Sequence, residues 1–154
     1  MAIPDQFRID QFIKEFDEKW IETENTMPNF MTVIIPNDHG AGERPEAGYP
    51  FRESYMADND LAVGRIVEYL SRTPYWDNML IVITEDDAQN GPDHVDAHRT
   101  TAYVAGGFVK RKYVDHTMYS TTSALRTMEL ILGMPPMTQY DAAAEPMWRS
   151  FSAS

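Results

Sequence analysis

The sequence predicts an α/β domain in which a mostly parallel sheet lies between helical layers, a three-layer sandwich. Three observations lead there. Two short, almost wholly apolar runs, residues 30–35 and 79–84, are too short for typical helices and suit strands buried on both faces. Helix-period patterns alternate with them, and helix, strand, helix, strand, strand, helix is the order of a parallel sheet covered by helices. Each run also breaks into a long polar loop, where open α/β sheets bind ligands beyond the carboxyl ends of their strands. About three strands are visible, few for such a sheet, so the sheet is expected to be incomplete.

Taken in order, Ile9, Ile13, Phe16 and Trp20 recur at helical spacing, with Phe12 widening the stripe, and predict an amphipathic helix over residues 6–22. A connector with Pro28 follows. Met31-Thr32-Val33-Ile34-Ile35-Pro36 is the first strand, and Asn37-Asp38-His39-Gly40 opens a loop longer than a compact domain keeps without purpose. From about Arg52 to Ser71 the helical period returns, with Met56, Val63, Ile66, Val67 and Leu70 on one face and Pro74 beyond its end. Residues 79–84 form the second strand and 85–100 the second polar loop. Residues 101–109 are a third strand interrupted by Gly106-Gly107. Thr121 or Thr122 caps a last helix with Leu125, Met128 and Leu132 on one face, stopped by Gly133, Pro135 and Pro136. The tail has no clear period.

A chain of 154 residues fits one domain and can bury a real core. A hydrophobic fraction of 43% excludes wholesale disorder, and a net charge of −11 argues against a nucleic-acid-binding surface. The absence of cysteine removes disulfides, thiolate metal sites and a cysteine nucleophile. No run approaches the roughly 18 apolar residues that suggest a membrane span.

The chemistry-bearing residues concentrate in the two loops, which hold three of the four histidines. Asp86 and Asp87 are adjacent carboxylates where a strand turns into a loop, and both can approach one cation there. Oxygen ligands suit Mg²⁺, Mn²⁺ or Ca²⁺, and added imidazole from His94 and His98 moves the preference toward Zn²⁺, Mn²⁺ or Fe. Alone, such a pair is more often two solvated acids. Asp38-His39 after the other strand is, alone, more often a turn in which Asp38 accepts backbone N–H groups and His39 lies in solvent. Together the loops predict one shared site at facing strand ends. Asp58, on the second helix, is expected to be exposed or supporting, and His116 to lie on a loop or the surface. An EF-hand over 86–97 fails, because Ala88 and Ala97 fall on ligand positions. There is no Gly-rich phosphate loop and no Gly-x-Ser-x-Gly elbow.

Four runs carry a resemblance. Pro36-Asn37-Asp38-His39, Ala57-Asp58-Asn59-Asp60-Leu61-Ala62-Val63-Gly64-Arg65-Ile66-Val67, the stretch from Thr84-Glu85-Asp86-Asp87 to Asp96-Ala97-His98-Arg99, and Tyr119-Ser120-Thr121-Thr122 through Gly133 resemble the bacterial phosphoesterase family. That family includes acid phosphatases and phospholipases C of the alkaline-phosphatase superfamily. The resemblance implies an alkaline-phosphatase-like three-layer fold, of which this chain covers the C-terminal part of the catalytic domain. It implies a divalent metal (Zn, Mn, Mg or Ca) held by Asp38, Asp86, Asp87 and His98, with His94 and His39 as catalytic histidines, His94 near the phosphoryl or leaving group. The implied substrate is a phosphate-ester small molecule or a lipid headgroup. The Ser or Thr nucleophile is expected from an N-terminal half of the same catalytic domain, and some members carry a β-propeller beside it, so both are expected partners. A periplasmic or secreted location is the matching expectation. The competing reading is a non-catalytic metal-binding or interaction module that lacks the nucleophile half.

Overall fold

Apolar spacing turns residues 5–16 into a helix, and burial selects its face. In the computed structural model, which describes residues 3–86 and 100–152, α1 (Asp5–Phe16) buries Ile9 and Phe16 completely and runs on into a π-helical turn, Asp17–Ile21. The contacts divide the chain into two compact units, Met1–Pro74 and Tyr75–Ser154.

In the first unit α1 packs against α2 (Glu53–Leu70), which buries Tyr55, Ala62, Ile66 and Leu70. That face is turned by about one residue from the expected one: Met56 is 55% exposed, and Tyr55 and Ala62 take the inward positions. Aromatic edges close the helix pair, with the Phe16 ring 5.6 Å from Tyr69 and 5.2 Å from Trp20, both near-perpendicular. Tyr49 and Tyr55 stack with centroids 3.9 Å apart.

The first expected strand is not a strand. Residues 30–35 run without assigned secondary structure, and Phe30, Val33 and Ile34 are 56%, 41% and 75% exposed. Among the described residues no backbone hydrogen bond is made over 26–34. β-propensity makes a strand only where a neighbouring strand pairs with it. After this run comes a short 3₁₀ turn, Pro36–His39, and a second, Pro45–Ala47.

In the second unit β1 (Leu80–Thr84) pairs with β2 (Ala102–Gly106), as the second and third apolar runs suggest, but antiparallel, with Leu80 opposite Gly106 and Thr84 opposite Ala102. The expected mostly parallel sheet in a three-layer, alkaline-phosphatase-like sandwich is therefore overturned. The described residues form a two-stranded antiparallel sheet with four α-helices. A parallel pair needs a crossover, usually helical, that returns the chain to the same end. Here β2 re-enters where β1 left.

Gly106 closes the pairing at φ +146°, and a Cβ built there would stand 2.0 Å from the Met79 carbonyl oxygen. At Gly107 it would stand 2.6 Å from the Asp77 backbone. The glycines that interrupt the third strand in sequence thus let two backbones touch.

Helix α3 (Thr121–Leu132) starts one or two residues earlier than the expected caps, Thr121 or Thr122, suggest. Its cap is Ser120, whose N–H donates to Ser123 Oγ at 3.2 Å, and Gly133 ends it in the left-handed conformation at φ +67°. Helix α4 (Gln139–Ala143) begins in a capping box between Thr138 and Asp141. Burial in this unit is largely polar. Thr127 Oγ1 donates to the Ser123 carbonyl at 2.7 Å and accepts from the Met147 N–H at 2.8 Å, tying the tail to α3.

Gly106→Ala is expected to destabilise the protein by about 1–3 kcal/mol, through strain at positive φ and a backbone clash. Gly64→Ala, within α2 where a Cβ meets nothing, should stabilise it by about 0.5–1 kcal/mol. Urea unfolding midpoints of the two variants check both signs.

Candidate functional site

The 3₁₀ turn Pro36–His39 presents two of the expected site residues. Pro36 sets its first residue, and Gly40, at φ +71°, closes it by donating its N–H to the Asn37 carbonyl at 2.9 Å. Asn37 is wholly buried, Asp38 half-buried and His39 exposed. The side chains of Asp38 and His39, adjacent in the chain, make no hydrogen bond or ion pair among the described residues.

What holds the turn lies beneath it. The Asn37 N–H donates to Asp5 Oδ2 at 3.0 Å, and Asn37 Nδ2 donates to Asp58 Oδ2 at 2.6 Å and to the Tyr49 hydroxyl at 3.1 Å. Asn59 Nδ2 donates to Asp5 Oδ2 at 3.0 Å and to the Ile35 carbonyl at 2.7 Å, fixing the residue before the turn. Asp58 Oδ2 also accepts the Asp5 N–H at 2.8 Å and the Tyr49 hydroxyl at 2.9 Å. The start of α1, one face of α2 and the turn meet in this one cluster. The Asp5 carboxylate, itself fully buried, lies 3.4 Å from Arg8 Nε, an ion pair without an aligned hydrogen bond.

The electrostatics follow from the bonds. Burial alone would raise the Asp58 carboxyl, but the Asp5 N–H, the Asn37 amide and the Tyr49 hydroxyl outweigh it and hold the pKa below the usual aspartate value. Tyr49 is pushed up to about 12, first by burial and then by its hydrogen bond to, and the charge of, Asp58.

Asp86 follows β1 in the second unit and is exposed. Asp87, His94 and His98 lie outside the described residues, and with them much of the expected metal and catalytic set. Among the described residues no three His, Asp or Glu side chains gather as a metal site. His116 is exposed, as expected. Thr84 Oγ1 lies 3.1 Å from both the Glu85 and the Thr101 carbonyls, and Thr100 Oγ1 lies 3.4 Å from Glu85 Oε2, so each of these hydroxyls has acceptors beside it. No helix of the described residues is long and apolar enough to cross a membrane.

No family model, curated protein or solved structure matches this chain. The functional reading therefore rests on its own residues.

The sequence did not single out Asn37, Asp5, Tyr49 or Asn59, and Asp58 entered only as exposed or supporting. The signal was present in α2. With Tyr55, Ala62 and Ile66 inward, Asp58 and Asn59 fall three and four residues after Tyr55, on the buried face.

Stability should carry the mark of this cluster at both ends of the pH range. A lowered Asp58 pKa contributes stability above the unfolded value, near 3.8, that is lost as pH falls through the folded one. A raised Tyr49 pKa contributes stability below pH 10 that is lost as pH climbs toward 12. In Asp58→Asn the Tyr49 titration, followed by tyrosinate absorbance against Tyr49→Phe, should move down toward 10 while burial keeps it above. An unmoved titration would mean that Asp58 does not hold the hydroxyl.

Proposed function

We propose that the chain supplies part of a divalent-metal site for hydrolysis of phosphoric esters, of phosphatase or phospholipase C type. Asp38, Asp86, Asp87 and His98 are the ligands in this reading, and His39 and His94 attend the phosphoryl or leaving oxygen. The observation that carries it is the Asp38–His39 pair, a carboxylate and an imidazole with no bond among the described residues, on a turn held through Asn37. The exposed Asp86, two residues past the end of β1, and the sequence run from Thr84 to Arg99 are consistent with it.

The donors fit the group. Carboxylate oxygen with imidazole nitrogen suits Mn²⁺ or Zn²⁺. A divalent ion, when bound, neutralises phosphoryl charge and lowers the pKa of an attacking oxygen. Asp38 is half-buried, and His39 is exposed, where an imidazole can pass a proton to a departing oxygen. The attacking hydroxyl belongs, in this reading, to a segment outside the described residues, the nucleophile-bearing half of the same catalytic domain. The unpaired, exposed apolar run 30–35 favours such a partner.

Titration of Mn²⁺ into wild type and the double variant Asp86→Ala/Asp87→Ala tests the reading. Binding should weaken at least about tenfold in the variant. Equal binding by both would dismiss these ligands. Without a nucleophile the chain alone should hydrolyse p-nitrophenyl phosphate close to the metal-only rate, since losing one costs several powers of ten. Fast turnover, lost in Asp86→Ala, would place the attacking group within the chain itself.

A further inference from the structure

We infer that one edge of the second unit, residues 108–114 with Trp148 and Arg149, is a docking surface for an anionic lipid bilayer. It uses none of the residues of the metal-site reading, so the two readings stand or fall separately.

Basic side chains are scarce in this sequence, 13 against 24 acidic ones, and the one place where three stand together is Lys110-Arg111-Lys112. The backbone fixes this run to the tail. Val109 bridges Phe151, the Lys110 N–H donates to the Ser150 carbonyl at 2.9 Å, and the Ser152 N–H donates to the Phe108 carbonyl at 2.9 Å. That pairing brings Trp148 and Arg149 beside the run, where Lys110 Nζ donates to the Arg149 carbonyl at 2.7 Å. Residues 110–114 are exposed without a break, and Lys112 turns the chain at φ +56°, in the left-handed region that few side chains adopt. Arg111 and Lys112 make no hydrogen bond or ion pair among the described residues. Two carboxylates accompany the run, and both are engaged. Asp115 accepts the Thr117 N–H and the Tyr119 hydroxyl, each at 3.0 Å, and Glu145 accepts the Trp148 indole N–H at 2.9 Å and lies 3.9 Å from Arg149.

Apolar side chains share the edge. Phe108, Tyr113, Val114 and Trp148 are all exposed, and cations lie over two of the rings: Lys110 Nζ stands 4.9 Å from the Tyr113 centroid and Arg149 Cζ 4.6 Å from that of Trp148. Positive charge interleaved with exposed rings asks two things of a partner at once. A soluble polyanion meets the charges and leaves the rings in water. An apolar protein face covers the rings and strands the charges. The headgroup layer of an anionic bilayer meets both, because phosphate lies there over hydrocarbon and amphipathic aromatic rings settle at that depth. The net charge of −11 does not forbid the contact. At about 0.1 M salt, charges beyond roughly 10 Å are largely screened, so the bilayer responds to the local sign. The docking is peripheral, on the surface and not through it.

The test sediments the whole chain with vesicles of phosphatidylcholine alone, and of phosphatidylcholine mixed with phosphatidylglycerol, across a salt series. Circular dichroism reports the fold of each variant. Wild type is expected to bind the anionic vesicles, to ignore the neutral ones and to release as salt rises. Each basic side chain near an anionic surface contributes about fivefold to binding, so Arg111→Glu/Lys112→Glu should lose about twentyfold or more. The milder Arg111→Gln, expected to lose about fivefold, decides if the double variant does not fold. Tyr113→Ser keeps every charge and should still lose several-fold through the missing ring. Lys14→Glu/Lys19→Glu makes the same charge change on exposed side chains of the first unit and should stay within about twofold of wild type. No binding to the anionic vesicles would overturn the inference. So would an equal loss in both charge-reversed variants, which would show attraction to net charge alone. Binding that poly-glutamate competes away, with Tyr113→Ser unchanged, would overturn it in favour of a soluble polyanion.

Discussion

A buried polar side chain must find partners, and in the first unit nearly everything follows from how Asn37 finds its own. Its Nδ2 and backbone N–H are met by Asp58, Tyr49 and Asp5, which come from α2, the loop before it and the first residue of α1, while its Oδ1 has no partner among the described residues. Apolar burial sets the two helices side by side through Ile9, Phe16, Ala62 and Ile66. It is non-directional, however, and leaves the register of the turn open. The hydrogen bonds supply direction: shifting α1 along α2 would separate the Asp5 N–H from Asp58, and shifting the turn would leave Asn37 unpaired. The network therefore couples helix packing to the attitude of Asp38 and His39.

The two units keep their order differently. In the first, the aromatic contacts of Phe16 with Trp20 and Tyr69 and the stack of Tyr49 on Tyr55 accompany the polar cluster. In the second, the buried groups are mainly Ser123, Thr127, Glu129, Asp141 and Ser150, and capping and side-chain bonds to backbone do the locating. Asp141 shows the principle. Thr138 donates its hydroxyl and N–H to this carboxylate and Met137 its N–H, the Thr138 hydroxyl first among the influences that hold its pKa well below the aspartate norm.

Helices were legible in the sequence because their signal is local. The spacing of Ile9, Ile13, Phe16 and Trp20 and the stop at Gly133 need no knowledge of the rest of the chain. Strands were legible as apolar runs and misread as pairs. Nothing in Ile81-Val82-Ile83 says whether its neighbour runs parallel, and nothing in Met31-Thr32-Val33 says whether a neighbour exists. Pairing is a long-range fact. The site was legible to the same degree: Asp38 and His39 stood out as chemistry, whereas Asn37 looked like a turn residue, and only the third dimension shows it as the anchor. Asp58 was hidden by an error of one residue in the inward face of α2, where Met56 looks more apolar than Tyr55 but Tyr55 is the one that stacks on Tyr49.

The central claim is that the turn bearing Asp38 and His39 is held from beneath, through Asn37. Amide hydrogen exchange of Asn37 addresses it most directly, because that N–H belongs to no helix ladder and has Asp5 Oδ2 as its acceptor at 3.0 Å. The account predicts that Asn37 exchanges as slowly as the interior amides of α1 and α2, opening only when the unit unfolds. Exchange at the rate of the unbonded amides in residues 29–34 would contradict it, showing a turn that is free and a pair of donors with no fixed geometry.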